Sequence, residues 1–444
     1  MKNLTLVALL GILLITTTSC GEEEIAPQEN LDDIVTLAQS NGFNSLAAAL
    51  TRADLIGALQ GDGPFTVFAP SDEAFSALLT EIGQTSVDNV PANVLAEILK
   101  YHVIEGVVRS TDVSDGAVAT LEGTRITLST ASGITVNGNS VVDGYDLEAS
   151  NGIIHTIDGV LVPESAGMFV NTVLEPAYFN KDFTTLVSAV VKADLTSTLL
   201  SAENLTIFAP SNDAFTAAGV DVNSLSAQDL AGVLAYHVLT SKVLSTGIPA
   251  KATTFGGGAI NFSLTSSGNF INGNTEIVAV DIESGSGVVH VLNDVLLPPS
   301  GNVVDIAVAN DDFSSLVAAL TRTATEGETN LVDVLNGDGP FTVFAPTNAA
   351  FQSLLDSNDD WSTLNDIPIS TLVTVLTYHV VGARAYDVDL STAIDNNNEI
   401  MTVEGAKLSV DLTNLTINTD VNITGTNVNA TNGVIHVIDK VLLP

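Results

Sequence analysis

Thr66-Val67-Phe68-Ala69-Pro70 returns as Thr206-Ile207-Phe208-Ala209-Pro210 and again as Thr342-Val343-Phe344-Ala345-Pro346. Each copy is a short apolar run closed by proline, as a buried strand is at its end. Two further markers come after each copy in the same order. The first is Tyr101-His102, Tyr236-His237 or Tyr378-His379. The second carries His155, His290 or His436 within a Gly-led apolar run that closes on Val-Leu-Val-Pro or Val-Leu-Leu-Pro. The six histidines of the chain fall wholly into these places. One module is therefore used three times.

The markers place unit one at about 28–163, unit two at 168–298 and unit three at 302–444. Units of this size can each bury a core. The connections between them are short, which favours a semi-rigid row over free beads. Each unit opens with helical spacing: Leu31, Ile34, Val35 and Ala38, then Phe43, Leu46, Ala47 and Leu50 in unit one. Phe183, Leu186, Val187 and Val190 repeat this in unit two, and Phe313, Leu316, Val317 and Leu320 in unit three. Asn41, Asp182 and Asp312 are placed to cap these helices. Ser71, Ser211 and Thr347 should cap a short helix carrying Phe75, Phe215 and Phe351. A further helix leads through Val94, Leu95, Ile98 and Leu99 into Tyr101-His102. The period then changes to two at Ile126-Thr127-Leu128-Ser129 and Ile134-Thr135-Val136-Asn137, broken by the turn residues Gly138-Asn139. The run from Ile153 to Val162 is almost all apolar, which suits a central strand. Each unit thus reads as helices and then a mainly antiparallel sheet, an α+β domain.

The chain has 444 residues, 45% of them hydrophobic, and a formal charge of −39 from 13 basic and 52 acidic side chains. Such a surface repels phosphate, so nucleic acid is not an expected partner. A solvated surface accounts for the charge; weak, distributed divalent-cation binding is the sharper alternative, although no EF-hand loop is present. At the N-terminus, Lys2 precedes the apolar stretch Leu4 to Ile15, too short to span a bilayer and typical of a signal peptide. The sole cysteine, Cys20, ends Thr17-Thr18-Ser19-Cys20. This resembles a bacterial lipobox, with Thr17 where a branched apolar residue is usual. Residues 1–20 are thus expected to be a lipoprotein signal peptide, and 21–27 an acidic tether. Acylation of Cys20 would anchor the chain stably to a membrane. Glu22, Glu23 and Glu24 resemble the surface-export signal of some bacterial lipoproteins, and a solvated spacer would look the same. The expected location is therefore the outer membrane or cell surface, with the periplasmic face of the envelope as the alternative.

No nucleophile elbow, phosphate loop, dinucleotide fingerprint or His-Glu-x-x-His motif occurs. The two histidines of a unit lie far apart in sequence, with no second ligand at short spacing, so neither a metal nor a cofactor is expected. His155, His290 and His436 sit on apolar strands and read as satisfied core residues. Asp158 and Asp439 come after them at a fixed offset, but unit two has Asn293 there, which argues against a shared acid–base role. No enzymatic activity is expected.

These markers resemble the fasciclin (FAS1) domain family. Thr-Val-Phe-Ala-Pro with Phe75 looks like its first conserved block. Asn432-Gly433-Val434-Ile435-His436-Val437-Ile438-Asp439, with the closing Leu-Leu-Pro, looks like its second. The Tyr-His pair lies between them. Unit two departs most: it lacks the turn seen at Gly61-Asp62-Gly63-Pro64 and Gly337-Asp338-Gly339-Pro340. The resemblance implies three wedge-shaped β-sandwiches with helices packed along one side. It also implies adhesion to extracellular matrix, cell-surface proteins or glycans, with self-association open. In animal members the Tyr-His region is tied to integrin binding. The matching candidates for ligand contact are Tyr101, His102, Tyr236, His237, Tyr378 and His379. An Asp-Ile element with a similar role is matched by Asp281-Ile282 and loosely by Asp146-Leu147, but Asn427-Val428 replaces it in unit three. The alternative function is capture of carbohydrate for the cell envelope, for which one Trp and six Tyr are a poor aromatic supply.

Overall fold

A computed structural model describes residues 31–444 except 132, 141–143, 286, 327–328, 396 and 412; at 139, 140, 392 and 393 only the backbone is described. The lipobox, Cys20 and the acidic tether lie outside these residues.

The helices of unit one are Ile34–Ser40, Asn44–Arg52, Asp72–Glu81 and Ala92–Tyr101, with a single turn at Ile56–Leu59. Ser71, Ser211 and Thr347 cap as expected, each accepting the main-chain N–H three residues on at 3.1–3.3 Å. Asn41, Asp182 and Asp312 do not. Asn41 ends the first helix. Asn180 and Asn310, two residues before the aspartates, accept from Asp182 and Asp312 N–H. The second helix of each unit is capped from far along the chain instead. Asp72, Asn212 and Asn348 accept the N–H of Ser45, Thr185 and Ser315 at 2.8–2.9 Å. A distant side chain does here what a local one was expected to do.

The first sheet of unit one runs in the order Val103–Glu105, Phe65–Pro70, Gly152–Ile157, Leu147–Ala149. Its central pair, Phe65–Pro70 beside Gly152–Ile157, is parallel, and the other pairings are antiparallel. The last strand stops at Ile157, short of the expected Val162. Beyond it Leu161 packs between the sheets, and its N–H bonds a side chain rather than a neighbouring strand. A second sheet holds Gly116–Ala119, Arg125–Ser129, Thr135–Val136 and Asn139–Ser140. In units two and three a ten-residue bulged strand, Thr275–Ser284 or Val421–Ala430, runs through both sheets and makes seven strands continuous.

The alternation of a strand splits the core in two. Val67 and Ala69 face the helices, while Phe68 faces Tyr101, Ile126, Leu128, Val136 and Ile157 between the sheets. Phe208 and Phe344 repeat this. Burying each such side chain contributes about 1.5–3 kcal/mol. The observed architecture is the α+β fold expected: a sandwich with helices on one side, three times over. The helix-side cores of units one and two merge into a single cluster, whereas that of unit three is separate.

Candidate functional site

The Tyr-His pair ends the helix before the first sheet's edge strand, and both side chains point inward. His102, His237 and His379 are 1–2% exposed. In each, Nδ1 donates to the carbonyl four residues back, that of Ile98, Val233 or Val375, at 2.7–2.8 Å. Nε2 accepts the main-chain N–H of Leu161, Leu296 or Leu442 at 2.8–2.9 Å. An N–H donor at Nε2 fixes the neutral tautomer with its proton on Nδ1. Burial pushes all three imidazoles down to about 4, against a smaller upward pull from the helical carbonyl. Each ring thus ties the end of a helix to the closing apolar phrase of its own unit.

Tyr101, Tyr236 and Tyr378 reach the other way. Their hydroxyls donate to the carbonyls of Arg125, Ala259 and Lys407 at 2.7–3.1 Å. Each hydroxyl accepts from Asn137, Asn272 or Asn418 at 2.9–3.1 Å. These asparagines sit at φ between 49° and 51°, a left-handed turn conformation that Asn tolerates better than most residues. The candidate contact residues therefore hold helix, turn and closing phrase together, and the flanking Leu99, Val103, Leu234, Val238, Leu376 and Val380 are buried around them.

The second histidine uses the opposite tautomer. His155, His290 and His436 donate from Nε2 to the carbonyls of Val108, Val243 and Ala385 at 2.8–2.9 Å. Their Nδ1 atoms accept the N–H of Asp146, Asp281 and Asn427 at 3.2–3.4 Å. They pack on Phe68, Phe208 and Phe344, ring centroids 5.6–5.7 Å apart. Asp146, Asp281 and Asn427 have φ of 58–59°, and in units two and three they lie in the bulged strand. The imidazole thus satisfies the N–H that a regular ladder would have paired. The Asp-Ile element is accordingly a bulge element. Asp146 and Asp281 accept the main-chain N–H of Ser110 and Ser245 at 2.7–2.8 Å and their hydroxyls as well. The Ser245 bonds hold Asp281 below the usual carboxylate range; at Asp146 burial acts to raise the pKa, but the Ser110 bonds outweigh it.

Asp439 and Asn293 both accept a main-chain N–H of the neighbouring strand, from Asn422 and Glu276, at 2.8–2.9 Å. A carboxylate and an amide oxygen serve equally there, which explains the exchange. Asp158 is exposed at the matching place. Two further sets of residues carry structure. Thr66, Thr206 and Thr342 are fully buried and brace the loop after the Tyr-His strand. Asn151 accepts from Ile34 N–H at 3.0 Å and donates to the carbonyls of Leu59 and Gly61 at 2.7 and 2.8 Å. Asn432 repeats these bonds with Val303, Leu335 and Gly337. A Cβ at Gly63 or Gly339 would stand 2.1–2.2 Å from the carbonyl oxygen of that asparagine, so the Gly-Asp-Gly-Pro turn and the asparagine form one device. Unit two lacks both; there the buried Glu175 accepts from Asn171 N–H and Ser284.

Among the described residues no group of three or more His, Cys, Asp or Glu is arranged to hold a metal. No described helix is long and apolar enough to cross a membrane. Both nitrogens of every histidine face main-chain groups, leaving neither a lone pair for a metal nor a site for proton transfer. Phe255 and Tyr145 are the aromatic side chains most open to solvent, each about half exposed.

The fasciclin domain pattern matches residues 41–163, 181–298 and 311–444. These segments end at the prolines that close the three units and begin later than the 28, 168 and 302 read from the sequence. The chain is 30% identical over 419 residues to the pig transforming growth factor-beta-induced protein ig-h3, covering 94% of this chain and 58% of that one. It is 29% identical over 410 residues to human periostin, covering 90% of this chain and 46% of periostin. It thus spans about half the length of these relatives. A Synechocystis protein, sll1735, is 42% identical over 134 residues, which are 30% of this chain and 98% of that protein. A single module can therefore make up nearly the whole of a protein.

Proposed function

This chain belongs to the fasciclin domain family, and on that premise we propose that it is an adhesion lipoprotein, held on a membrane by acylated Cys20 and displayed at the cell surface. Its ligands are matrix proteins, cell-surface proteins or glycans. The observation that supports this is the inward use of every Tyr-His pair in three matched modules. Keeping a module's interior the same while leaving its outer faces free suits a scaffold for contacts better than a reaction centre. Repetition adds avidity, because after one module binds, the others meet ligand at high effective concentration. The charge of −39 favours partners with basic patches and makes association salt-dependent. Contacts are carried by exposed hairpins and loops, with Tyr101, Tyr236 and Tyr378 acting as supports for them.

The test is protease shaving of intact cells combined with retention on surfaces coated with matrix protein or with glycans. Wild type is compared with Cys20→Ala and with a variant in which Glu22, Glu23 and Glu24 are neutralised. Digestion and retention of wild type, with protection of the glutamate variant, support surface adhesion. Protection of wild type places the chain inside the envelope and ends the adhesion reading.

A further inference from the structure

Unit three differs from the other two at two neighbouring positions, and both differences meet at its contact with unit two. Where units one and two have Ser110 with Asp146 and Ser245 with Asp281, unit three has Asp387 with Asn427. The main-chain N–H still donates to residue 427, but the side-chain bond is reversed: Asn427 donates through Nδ2 to Asp387, where Asp146 and Asp281 accept from a serine hydroxyl. The same amide also donates to unit two, to Asn274 Oδ1 at 2.8 Å and to the Gly273 carbonyl at 3.3 Å. An aspartate there would offer only acceptors to an acceptor-lined surface. Asn427 is 3% exposed, so the mismatch would be buried.

Tyr386 completes the contact. It stands where unit one has Arg109 and unit two has Leu244. Its side chain lies over Gly273, and a Cβ added there would come within 2.6–2.7 Å of its Cβ and ring atoms. Arg384 and Asn429 brace its hydroxyl from unit three at 3.2 and 2.9 Å, and Asn261 reaches it from unit two at 3.4 Å. Ser263 of unit two donates to Asp389 at 2.6 Å. Tyr386 is 1% exposed. These contacts fix the walls of a cleft of about 340 Å³ drawn from both units, with Asn274, Thr275, Ile306 and Val428 among its lining.

We propose that units two and three form one fixed body, locked by Tyr386 and Asn427 of unit three seated on Asn261, Ser263, Gly273 and Asn274 of unit two. Tyr386 and Asn427 are the residues that set this pairing, and the other two units lack both. The proposal holds whatever the chain binds. It means that an adhesion partner meets the two modules in a single relative orientation, with a cleft between them that neither has alone.

Unit one supplies a matched control. Gly138 occupies the place of Gly273, with φ 88° against 80°, but among the described residues nothing lies within 4 Å of a Cβ built on it. Valine at either position brings similar backbone strain, and only at Gly273 does it strike the partner unit. The experiment uses the chain from Gly21 onward, which contains no cysteine, with spin labels on Ser201→Cys in unit two and Gln352→Cys in unit three. Pulsed electron spin resonance then reads the distance between the units. A single narrow distance peak is expected, lost in Gly273→Val and in Asn427→Asp and kept in Gly138→Val. A broad distribution in the parent chain, or a Gly273→Val trace matching that of Gly138→Val, would overturn the proposal.

Discussion

His102 Nε2 accepts the main-chain N–H of Leu161, 59 residues further on, at 2.8 Å, and so ties the middle of its unit to its closing phrase. Alanine at 102 leaves Leu161 N–H and the Ile98 carbonyl without partners in a buried place. The expected loss is about 1–3 kcal/mol for each group stranded. Urea unfolding of His102→Ala, His237→Ala and His379→Ala checks it. Midpoints within error of the parent would show that the ring is not a tie.

Acid should weaken the same tie. The three imidazoles hold at about 4 when folded and return to the ordinary value near 6.5 when unfolded. Between those values the unfolded chain binds more protons, so stability falls as pH falls. The contribution is fully present above about 6.5 and is lost as pH drops through about 4, at roughly 3 kcal/mol per histidine. Replacing His102 by Gln removes one titrating group. The slope of unfolding free energy against pH should shrink in that variant between pH 6 and 4.5; an unchanged slope would refute the assignment.

Asn151→Ala should be among the costliest single changes in unit one. Three main-chain groups lose their partner, and the Gly61–Pro64 turn loses its anchor. About 3 kcal/mol or more is expected. Asn432→Ala should match it in unit three. The decisive reading is the calorimetric melt of each variant, in which the transition of the altered unit should move most.

Tyr101→Phe separates support from contact. The change removes the hydroxyl between Arg125 O and Asn137 and keeps the ring. It should cost about 1 kcal/mol of stability and leave ligand retention intact. Retention that falls while stability holds would make Tyr101 a contact residue after all.

Legibility in the sequence divides along a physical line, between local and distant partners. Local signals were legible: the Ser71, Ser211 and Thr347 caps depend only on residues three apart, and the strand at Phe68 on its own apolar run closed by Pro70. The inward setting of His155, His290 and His436 was implied by their apolar neighbours. Partners far along the chain were not legible. Nothing near Asn44–Arg52 announces that Asp72 caps it, and nothing near His102 announces Leu161. The asparagines under the tyrosine hydroxyls did leave a trace, since Asn137, Asn272 and Asn418 recur at one place ahead of the turn. The exchange of Asp for Asn at 427 was visible as a difference, but its meaning lies in the neighbouring unit. The Gly-Asp-Gly-Pro turn and its asparagine are present together or absent together, and that covariation within one chain is the trace their contact leaves in the sequence.

The central parallel pair of each unit joins a strand from its first half, Phe65–Pro70, to its last, Gly152–Ile157. Contact order is therefore high within a unit, while among the described residues no strand pairing crosses between units. A chain emerging from its N-terminus cannot close a unit until that unit's last strand is out. Until then Phe65–Pro70 presents an open edge, a site for mispairing with a sister unit that carries nearly the same strand, Thr206–Pro210 or Phe341–Pro346. Once closed, the unit's strand pairing no longer depends on later parts of the chain, although the helix-side core of unit one still gains from that of unit two. Folding should therefore advance in three discrete steps, and the hazard of each step is misassembly with the neighbour it resembles.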